Sequence, residues 1–584
     1  MKSDLRLPVL LFSLCALLGS LVPAQADVAL NGLFSDHMVL QRDTKVSVWG
    51  TAAPAEEVTV TFGKQTVKAV ADRDGKWILK LDPMPASTKP TELLVVGKNK
   101  VKIEDVLVGD VWLCSGQSNM AFHMRQIKEN PLYRDDLTSA NFPLIRHAFV
   151  AKNPSDKPLS SVPVSWTVCS PTTVGEFSAA AFYFAREIQG KLSVPIGLIN
   201  SSVGGTSAQS WSSIDSLRTD AHLKEMSEQQ IADFAKAPEM LKNLSSQLNA
   251  WEKKYGRVDS ENTGEKQEWE TPDLVTTDWK KASAMISKKE SGTPDGGVIW
   301  IRKEITIPTD AAGKGFHLTL GYIANATCTV YFNDEKVGEK NSKIGPTTWD
   351  LKTDLGSFKN MTFGIPSKLV KAGKNVIAVR FVSDTGMDSW LRARPNGWDM
   401  GFPGAKDLSE ECQFKVEKQF PPLSQIALAE MPILPSRDAG GTASYLFNGM
   451  INPLAPYTIK GLLWYQGEQD SGRGFVYRTL LPIMLTGWRK LWAQGDFPIV
   501  IQQLPNYGAS SSQPGRSDWA ELREAQAMTA KQLPNCALSV GINIGEARTF
   551  IPRTNATSAI VSPLQHLEQS MVRRSASPAP STIP

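Results

Sequence analysis

The feature of this sequence that most constrains its fold is a change in hydrophobic periodicity along the chain. Segments 46–50 and 77–81 alternate apolar and polar residues with period two, and Gly, Pro and Asp residues follow them, a pattern typical of half-buried strands joined by turns. From about Asp105, buried-strand runs such as 194–199 alternate with helical stretches such as 179–189. The sequence therefore predicts a small antiparallel β domain followed by an α/β layer.

The period-two pattern returns in the middle of the chain. Segments 300–307 and 376–381 alternate in this way, and they predict a β-sandwich over about 278–415. The α/β pattern resumes at 460–465. The sandwich is therefore predicted to be inserted between two halves of one α/β domain, which folds tolerate because the ends of a domain often lie close together.

The length of 584 residues agrees with several domains, since roughly 150 residues form one domain. In chain order, the predicted segments are a signal peptide (1–26), an N-terminal β domain (27–104), the first part of the α/β domain (105–225), a helical connector (226–277), the inserted β-sandwich (278–415), the second part of the α/β domain (416–547) and a tail without strand or helix signal (548–584).

The first 26 residues have the layout of a secretory signal peptide. Lys2 and Arg6 precede an apolar run over 9–22, and small residues at 24–26 offer a cleavage site. The run is shorter than the roughly 20 residues of a membrane span, and no later segment reaches that length without charges. We therefore expect an exported protein without a membrane span, either periplasmic or extracellular, with a bacterial periplasm favoured.

The net charge gives no support to nucleic-acid binding, and the cysteine spacing gives none to a zinc site. The 63 Lys and Arg residues against 59 Asp and Glu residues leave a formal net charge of +4, too small an excess to predict nucleic-acid binding. The cysteines that follow the signal peptide are odd in number and show no Cys-x-x-Cys spacing, so at most two disulfides and no zinc site are expected. These cysteines are Cys114, Cys169, Cys328, Cys412 and Cys536.

The stretch 109–120 carries the strongest chemical signal. A buried strand runs into the turn Gly116-Gln117-Ser118, and a helix is predicted to begin after it. Such a turn presents the Ser118 hydroxyl at the carboxyl end of a strand, where α/β sheets bind their ligands, and backbone N–H groups of the helix start could stabilise an oxyanion. The alternative is that Ser118 is a helix cap.

Four ordered stretches give this chain a family resemblance. Segment 116–120 (Gly-Gln-Ser-Asn-Met) resembles the first block of the sialate O-acetylesterase branch of the SGNH hydrolases. Segment 34–42 resembles the family's amino-terminal signature, 200–206 its second block and 464–468 its third block. The resemblance runs from about residue 27 to Ala547, and the inserted segment is similar to galactose-binding-like sandwiches. It implies a flavodoxin-like αβα hydrolase domain that uses no metal or organic cofactor.

The resemblance also implies roles for individual residues. Ser118 would be the nucleophile that attacks an acetyl carbonyl, and N–H groups of Ser118 and of Gly205 or Gly204 would bind the oxyanion, with Gly205 favoured; the alternative for the glycines is a tight turn. Gln466 and Glu468 are the candidates from the third block. Glu468 could instead be a structural carboxylate.

The pattern breaks where the catalytic base is expected. The family ends with Asp-x-His-Pro after an Ile-Gly-Glu segment, whereas here 544–546 is followed by Arg548-Thr549-Phe550 and a tail rich in Ser, Pro and Arg. Reading the degenerate codons of 548–552 from their third base permits Asp-Ile-His-Pro. We therefore expect that a frameshift near Ala547 replaced the catalytic Asp and His and impaired activity. His566 lacks the neighbouring acid, and His123 lies too far around a helix from Ser118 to face it.

Three functions remain open from the sequence. The first is a secreted serine esterase that removes O-acetyl groups from sialic acid, and the second is an acetyl esterase of xylan or another acetylated glycan, because the blocks define the reaction and not the sugar. The third is a catalytically inactive glycan-binding protein. Arg125 and Arg146 could bind the sialate carboxylate, although surface or structural roles are the alternative for both.

Overall fold

The computed structural model describes residues 27–127, 134–282, 292–293, 295–320, 326–341, 361–383, 411–432, 439–508, 513 and 515–542. The predicted signal peptide and tail lie outside these residues.

The described residues form a mixed α/β structure with several sheets. The strands are β1 Ala29–Leu30, β2 Val39–Gln41, β3 Val46–Thr51, β4 Glu57–Phe62, β5 Gln65–Val70, β6 Lys76–Leu81, β7 Ser87–Val96, β8 Lys100–Gly116, β9 Phe142–Phe149, β10 Trp166–Cys169, β11 Ile196–Ser202, β12 Lys280–Ala282, β13 Gly297–Ile307, β14 Phe316–Thr319, β15 Thr327–Phe332, β16 Glu335–Asn341, β17 Thr362–Ile365, β18 Gly373–Ser383, β19 Cys412–Gln419, β20 Gly461–Tyr465, β21 Ile499–Gln502 and β22 Cys536–Ser539. The α-helices are Ser118–Ala121, Arg134–Ser139, Ala179–Leu192, Ile214–Leu217, Ala221–Lys254, Thr263–Lys266, Gln425–Ala429, Gly474–Trp492 and Asp518–Gln532.

The chain divides into two compact units. The first contains the residues up to Leu217 and those from Leu446 onward, and the second is Arg218–Tyr445. The predicted connector and the predicted sandwich both fall within the second unit. The segments that resemble the hydrolase blocks all fall within the first.

The first unit is organised around strand order β10-β9-β11-β8-β20-β21-β22. Neighbours in this order are parallel except β10 and β9. The helix Ala179–Leu192 packs on this sheet, with Phe182, Phe184 and Ile188 in the same buried cluster as Trp112 of β8. Burial of the sheet between packed layers explains why its strands read as continuous apolar runs and not as alternating ones.

One strand, β8, belongs to two sheets. Its amino-terminal half pairs antiparallel with β7, whereas its carboxyl-terminal half lies parallel between β11 and β20. Asp105, at the change between the two, has a φ of +53°, and it accepts hydrogen bonds from Arg146 Nη1 and His37 Nδ1 at 2.7 Å each. From Val106 to Gly116 every residue is buried. The change of periodicity near Asp105 is therefore a kink within one strand.

A separate sheet of the first unit, with strand order β1-β3-β6, is antiparallel. Its strands alternate between a buried and an exposed face, since Trp77, Leu79 and Leu81 are buried and their neighbours in β6 are exposed. This is the period-two pattern of a sheet with one face in water.

The second unit contains the long helix Ala221–Lys254 and two antiparallel sheets. One sheet has the order β12-β19-β13-β18-β15-β16 and the other pairs β14 with β17. Apolar side chains of both sheets share one buried cluster, in which Leu318 and Phe363 of the small sheet join Ile299 and Val379 of the large one. The alternating segments predicted near 300–307 and 376–381 form β13 and β18.

Three further observations concern the residues that the structure describes. None of their helices is long and apolar enough to cross a membrane. Cys114, Cys169, Cys328 and Cys536 take part in no disulfide bond among these residues. No group of three or more His, Cys, Asp or Glu side chains in the described ranges is arranged to hold a metal ion.

A glycine exchange tests the tight approach of β8 to β20. A Cβ at Gly116 would lie 2.0 Å from the Tyr465 carbonyl oxygen, and the φ of Gly116 is +144°. We expect Gly116→Ala to lower the free energy of unfolding by about 3 kcal/mol or more because it combines overlap with backbone strain. Urea denaturation measures the change.

Gly190 is the matched control. It lies in the helix Ala179–Leu192, and a Cβ there would meet no atom within 4 Å. Gly190→Ala should leave the protein as stable or raise its stability by up to about 1 kcal/mol. Equal effects of the two exchanges would contradict the close approach at Gly116.

Candidate active site

The structure brings three of the family-like segments to one edge of the parallel sheet. Segment 116–120 follows β8, 200–206 contains the end of β11, and 464–468 follows from β20. Because β11 and β20 are the parallel neighbours of β8, their carboxyl ends lie side by side. This is the edge at which open α/β sheets bind ligands.

Ser118 is the first residue of the short helix Ser118–Ala121 and is half-buried. The residue at the N-cap is Gln117, and no side chain caps this helix. The structure thus does not support the alternative that Ser118 serves as the cap. Among the described residues, its hydroxyl has no hydrogen-bond partner.

The two glycines of the second block differ in their relation to Ser118. A Cβ at Gly204 would lie 3.4 Å from the Ser118 Cβ, so this backbone contacts the serine directly. Gly205 has a φ of +74°, and a Cβ there would meet no atom within 4 Å. Gly205 therefore forms the tight turn that brings Gly204 against Ser118, and the oxyanion role stays a prediction for both.

Gln466 is fully buried and its amide is engaged on both sides. Its Nε2 donates to the Thr206 carbonyl at 3.0 Å and to Asp470 Oδ2 at 2.7 Å, and its Oε1 accepts from the Tyr477 hydroxyl at 2.8 Å. These bonds tie the end of β20 to the segment that follows β11. They favour a positioning role for Gln466 over direct contact with an oxyanion.

Asp470 and Tyr477 are members of this network that the sequence analysis missed. Asp470 accepts from the Ala208 N–H at 2.9 Å and from Arg473 at 2.6 Å, and burial raises its pKa. The sequence shows that Gln466 and Asp470 lie four residues apart. It does not show that both bond to the segment near residue 206.

Gln117 connects the turn before Ser118 with the segment 464–468. Its N–H donates to the Tyr465 carbonyl at 3.0 Å. Its side-chain Oε1 accepts the N–H groups of Gly467 at 3.3 Å and of Gln469 at 3.2 Å. Gln117 is thus a further positioning residue that the sequence analysis did not single out.

Glu468 lies beside Asn119, the residue that follows Ser118, because the Asn119 Nδ2 donates to the Glu468 Oε1. Burial raises the pKa of Glu468 to about 7, against the weaker opposing effect of the Asn119 hydrogen bond. Its Oε2 is shielded from solvent and has no hydrogen-bond partner in the described part of the chain. A carboxyl group in this state can exchange a proton near neutral pH.

No histidine of the described residues forms a hydrogen bond with Ser118. His37 is bound to Asp105, and His123 Nδ1 lies 2.9 Å from the Glu176 carbonyl oxygen. His147 is stacked on a phenylalanine ring in the core, where burial lowers its pKa to about 3. The remaining histidines are His222 and His317, exposed residues of the second unit, and His566, which lies outside the described residues.

The two arginines considered for a sialate carboxylate are both paired with carboxylates of the chain. Arg125 contacts Glu176, and Arg146 is buried with its Nη1 2.7 Å from Asp105 Oδ2. Arg146 therefore stabilises the kink of β8.

Comparisons with known proteins find relatives of this chain. The chain is 34% identical to the sialate O-acetylesterase of Mus musculus over 202 residues, which are 31% of this chain and 37% of that protein. It is 34% identical to the sialate O-acetylesterase of Homo sapiens over 203 residues, 32% of this chain and 38% of that protein. The resemblance to sialate O-acetylesterases is confirmed.

The matches cover less than two fifths of these relatives, and no family model matches the chain. A crystal structure of a carbohydrate acetylesterase from Xanthomonas citri superposes with a TM-score of 0.53 at 19% sequence identity, over 94% of this chain and 76% of that one. At this identity the likeness concerns the fold alone.

Replacement of Glu468 by glutamine tests its buried carboxyl group. The pKa of Glu468 is raised from 4.5 to about 7, so the folded state favours the neutral acid. The protein therefore loses stability as pH rises from about 4.5 to 7, by about 3 kcal/mol in total. Glu468→Gln keeps an acceptor for Asn119 and removes the charge, so the variant should be more stable than the parent at pH 8 and similar to it at pH 4.

Urea denaturation at several pH values measures this difference. Glu430, an exposed carboxylate whose pKa is lowered by Lys254, offers a matched control, and Glu430→Gln should not raise stability at pH 8. A Glu468→Gln variant with the same pH dependence as the parent would contradict the buried state of this group.

Proposed function

We propose that this protein is an exported serine esterase of the SGNH type that removes O-acetyl groups from a glycan, with sialic acid as the first candidate substrate. The proposal rests above all on Ser118, which stands at the carboxyl end of the central strand β8 with Gly204 packed against it. The relatives named as sialate O-acetylesterases support the reaction class. The fold that goes with this proposal is a flavodoxin-like αβα domain with an inserted galactose-binding-like sandwich.

In the proposed reaction, the Ser118 Oγ attacks the acetyl carbonyl carbon and loses its proton to a base. N–H groups of Ser118 and of Gly204 or Gly205 stabilise the tetrahedral oxyanion. The C–O bond to the sugar then breaks, and the sugar oxygen receives the proton. Water attacks the acetyl-serine in a second step of the same kind, which releases acetate and restores the hydroxyl.

The base in this scheme is the histidine of an Asp-x-His-Pro segment, which we propose was lost from this chain by a frameshift after Ala547. The tail lies outside the described residues, and no described histidine forms a hydrogen bond with Ser118. Loss of the base would leave the catalysis that oxyanion binding alone provides. The chain as written is therefore expected to be an impaired esterase that still binds its glycan.

Another acetylated glycan, such as acetylxylan, is the second candidate substrate. The observation that favours it is the pairing of Arg125 with Glu176 and of Arg146 with Asp105, which leaves neither arginine for the carboxylate of sialic acid. The fold likeness to a carbohydrate acetylesterase is compatible with either sugar.

The assignment of the nucleophile is tested by two serines three residues apart. Ser118→Ala should lower hydrolysis of 4-nitrophenyl acetate by about 1000-fold or more in a protein that has its base. Ser115, whose hydroxyl is buried without a hydrogen-bond partner in the described structure, is the control. Ser115→Ala should keep the activity, and equal activity of the Ser118→Ala variant and the parent would contradict the proposed nucleophile.

The lost base is tested by a version of the protein in which Asp-Ile-His-Pro and the shifted-frame residues follow Ala547. We expect this version to hydrolyse 4-nitrophenyl acetate at least about 100-fold faster than the chain as written, because general base catalysis contributes about 100- to 10,000-fold. Equal rates, both abolished by Ser118→Ala, would show that another residue is the base.

A further inference from the structure

A cavity of about 780 Å³ lies in the first unit. Its wall includes Pro456, five residues before β20 begins at Gly461. Ser118 follows β8, whose end at Gly116 pairs with Tyr465 at the opposite end of β20. None of the residues that line the cavity belongs to segments 116–120, 200–206 or 464–468, so the cavity is formed by other residues than those around the proposed catalytic serine.

One wall of the cavity is the exposed face of the sheet β1-β3-β6. Trp49 pairs with Ile78 and Thr51 pairs with Lys76 across β3 and β6, so these four side chains share one face. Ile78 is 52% exposed. The lining of the cavity also includes Ser160, Ser161, Asn452 and Pro456.

Trp49 is held as a rigid platform. Its ring meets Phe34 edge to face at 4.8 Å between ring centroids and lies 6.3 Å from Tyr457. The indole is half-buried by these contacts, and it remains part of the cavity wall. A flat apolar surface fixed in this way can stack against a ligand with little loss of side-chain entropy.

The groups around this platform are polar. Hydroxyls of Thr51 and Ser161 and the ammonium of Lys76 lie in exposed residues of the wall. Lys76 forms no ion pair with a described residue, and the carboxylate of Asp72 lies in the same wall. The cavity therefore combines an apolar platform, uncharged donors and acceptors, and one charge of each sign.

We propose that this cavity is a glycan-binding site that takes neutral sugar rings and is separate from the catalytic serine. A pyranose ring has an apolar C–H face that matches Trp49 and Ile78, and hydroxyls at its edge that match the polar groups. The volume is within the range of about 300–1,000 Å³ typical of small-ligand sites. The opposite charges of Asp72 and Lys76 cancel, which favours a neutral glycan over an acidic one.

Calorimetric titration of the full-length Ser118→Ala protein with xylohexaose, cellohexaose, mannohexaose and sialyllactose tests the site. At least one neutral hexasaccharide is expected to bind more tightly than sialyllactose. In the same background, Trp49→Ala should weaken that binding by about tenfold or more, and Ile78→Ser should weaken it by about fivefold. Val70→Ser is the matched control, because Val70 is 62% exposed on β5 and is not part of the cavity wall.

The outcomes separate this proposal from the proposed esterase function. Absence of binding by all three neutral sugars, tighter binding of sialyllactose, or unchanged binding in Ile78→Ser would overturn the neutral-glycan site. Ile78 is exposed, so Ile78→Ser decides the question if Trp49→Ala does not fold. The esterase function is judged independently by 4-nitrophenyl acetate hydrolysis, which Ile78→Ser should leave unchanged in the protein with the restored tail.

Discussion

The close approach of β8 to β20 is the constraint on which the rest of the site depends. Only a residue without a side chain fits where Gly116 meets the Tyr465 carbonyl, and the next N–H, that of Gln117, donates to the same carbonyl. This contact ends the strand pairing and turns the chain, so that Ser118 emerges at the edge of the sheet. A side chain at Gly116 would move the serine away from the segments that follow β11 and β20.

Buried polar groups then fix the distances between those segments. Gln466, Asp470 and Tyr477 satisfy one another and the backbone near residue 206, and such a network is stable only when its members are paired. Glu468 departs from this rule, since its Oε2 has no partner among the described residues. The ionised form of Glu468 lowers the stability of the fold, and this carboxyl group lies beside the turn at Ser118. Such a group is typical of a functional site.

The sequence predicted the edge of the sheet and the turn, but not the bonds that hold them together. The turn at Ser118 could be found because a buried strand followed by small residues has a local pattern, whereas the glycine pair was indicated by the family resemblance. Gln117 and Asp470 were missed because their roles arise from distant partners: Gln117 accepts from Gly467, 350 residues away, and Asp470 accepts from Ala208, 262 residues away. The change of periodicity at Asp105 was found, yet it marks a kink that Arg146 stabilises within β8.

The contacts that hold Ser118 in place are distributed over three segments of the first unit. The hydrogen bonds that hold the serine turn join residues of the 116–120, 203–211 and 464–477 segments. Each of these segments precedes Ala547, and each is held by strands in the middle of the sheet. The placement of Ser118 and the proposed proton transfer are thus separable in this fold. The central strands provide the placement, and a carboxyl-terminal segment would have to provide the proton transfer. If the proposed loss of the base is correct, these contacts would still hold Ser118 at the edge of the sheet.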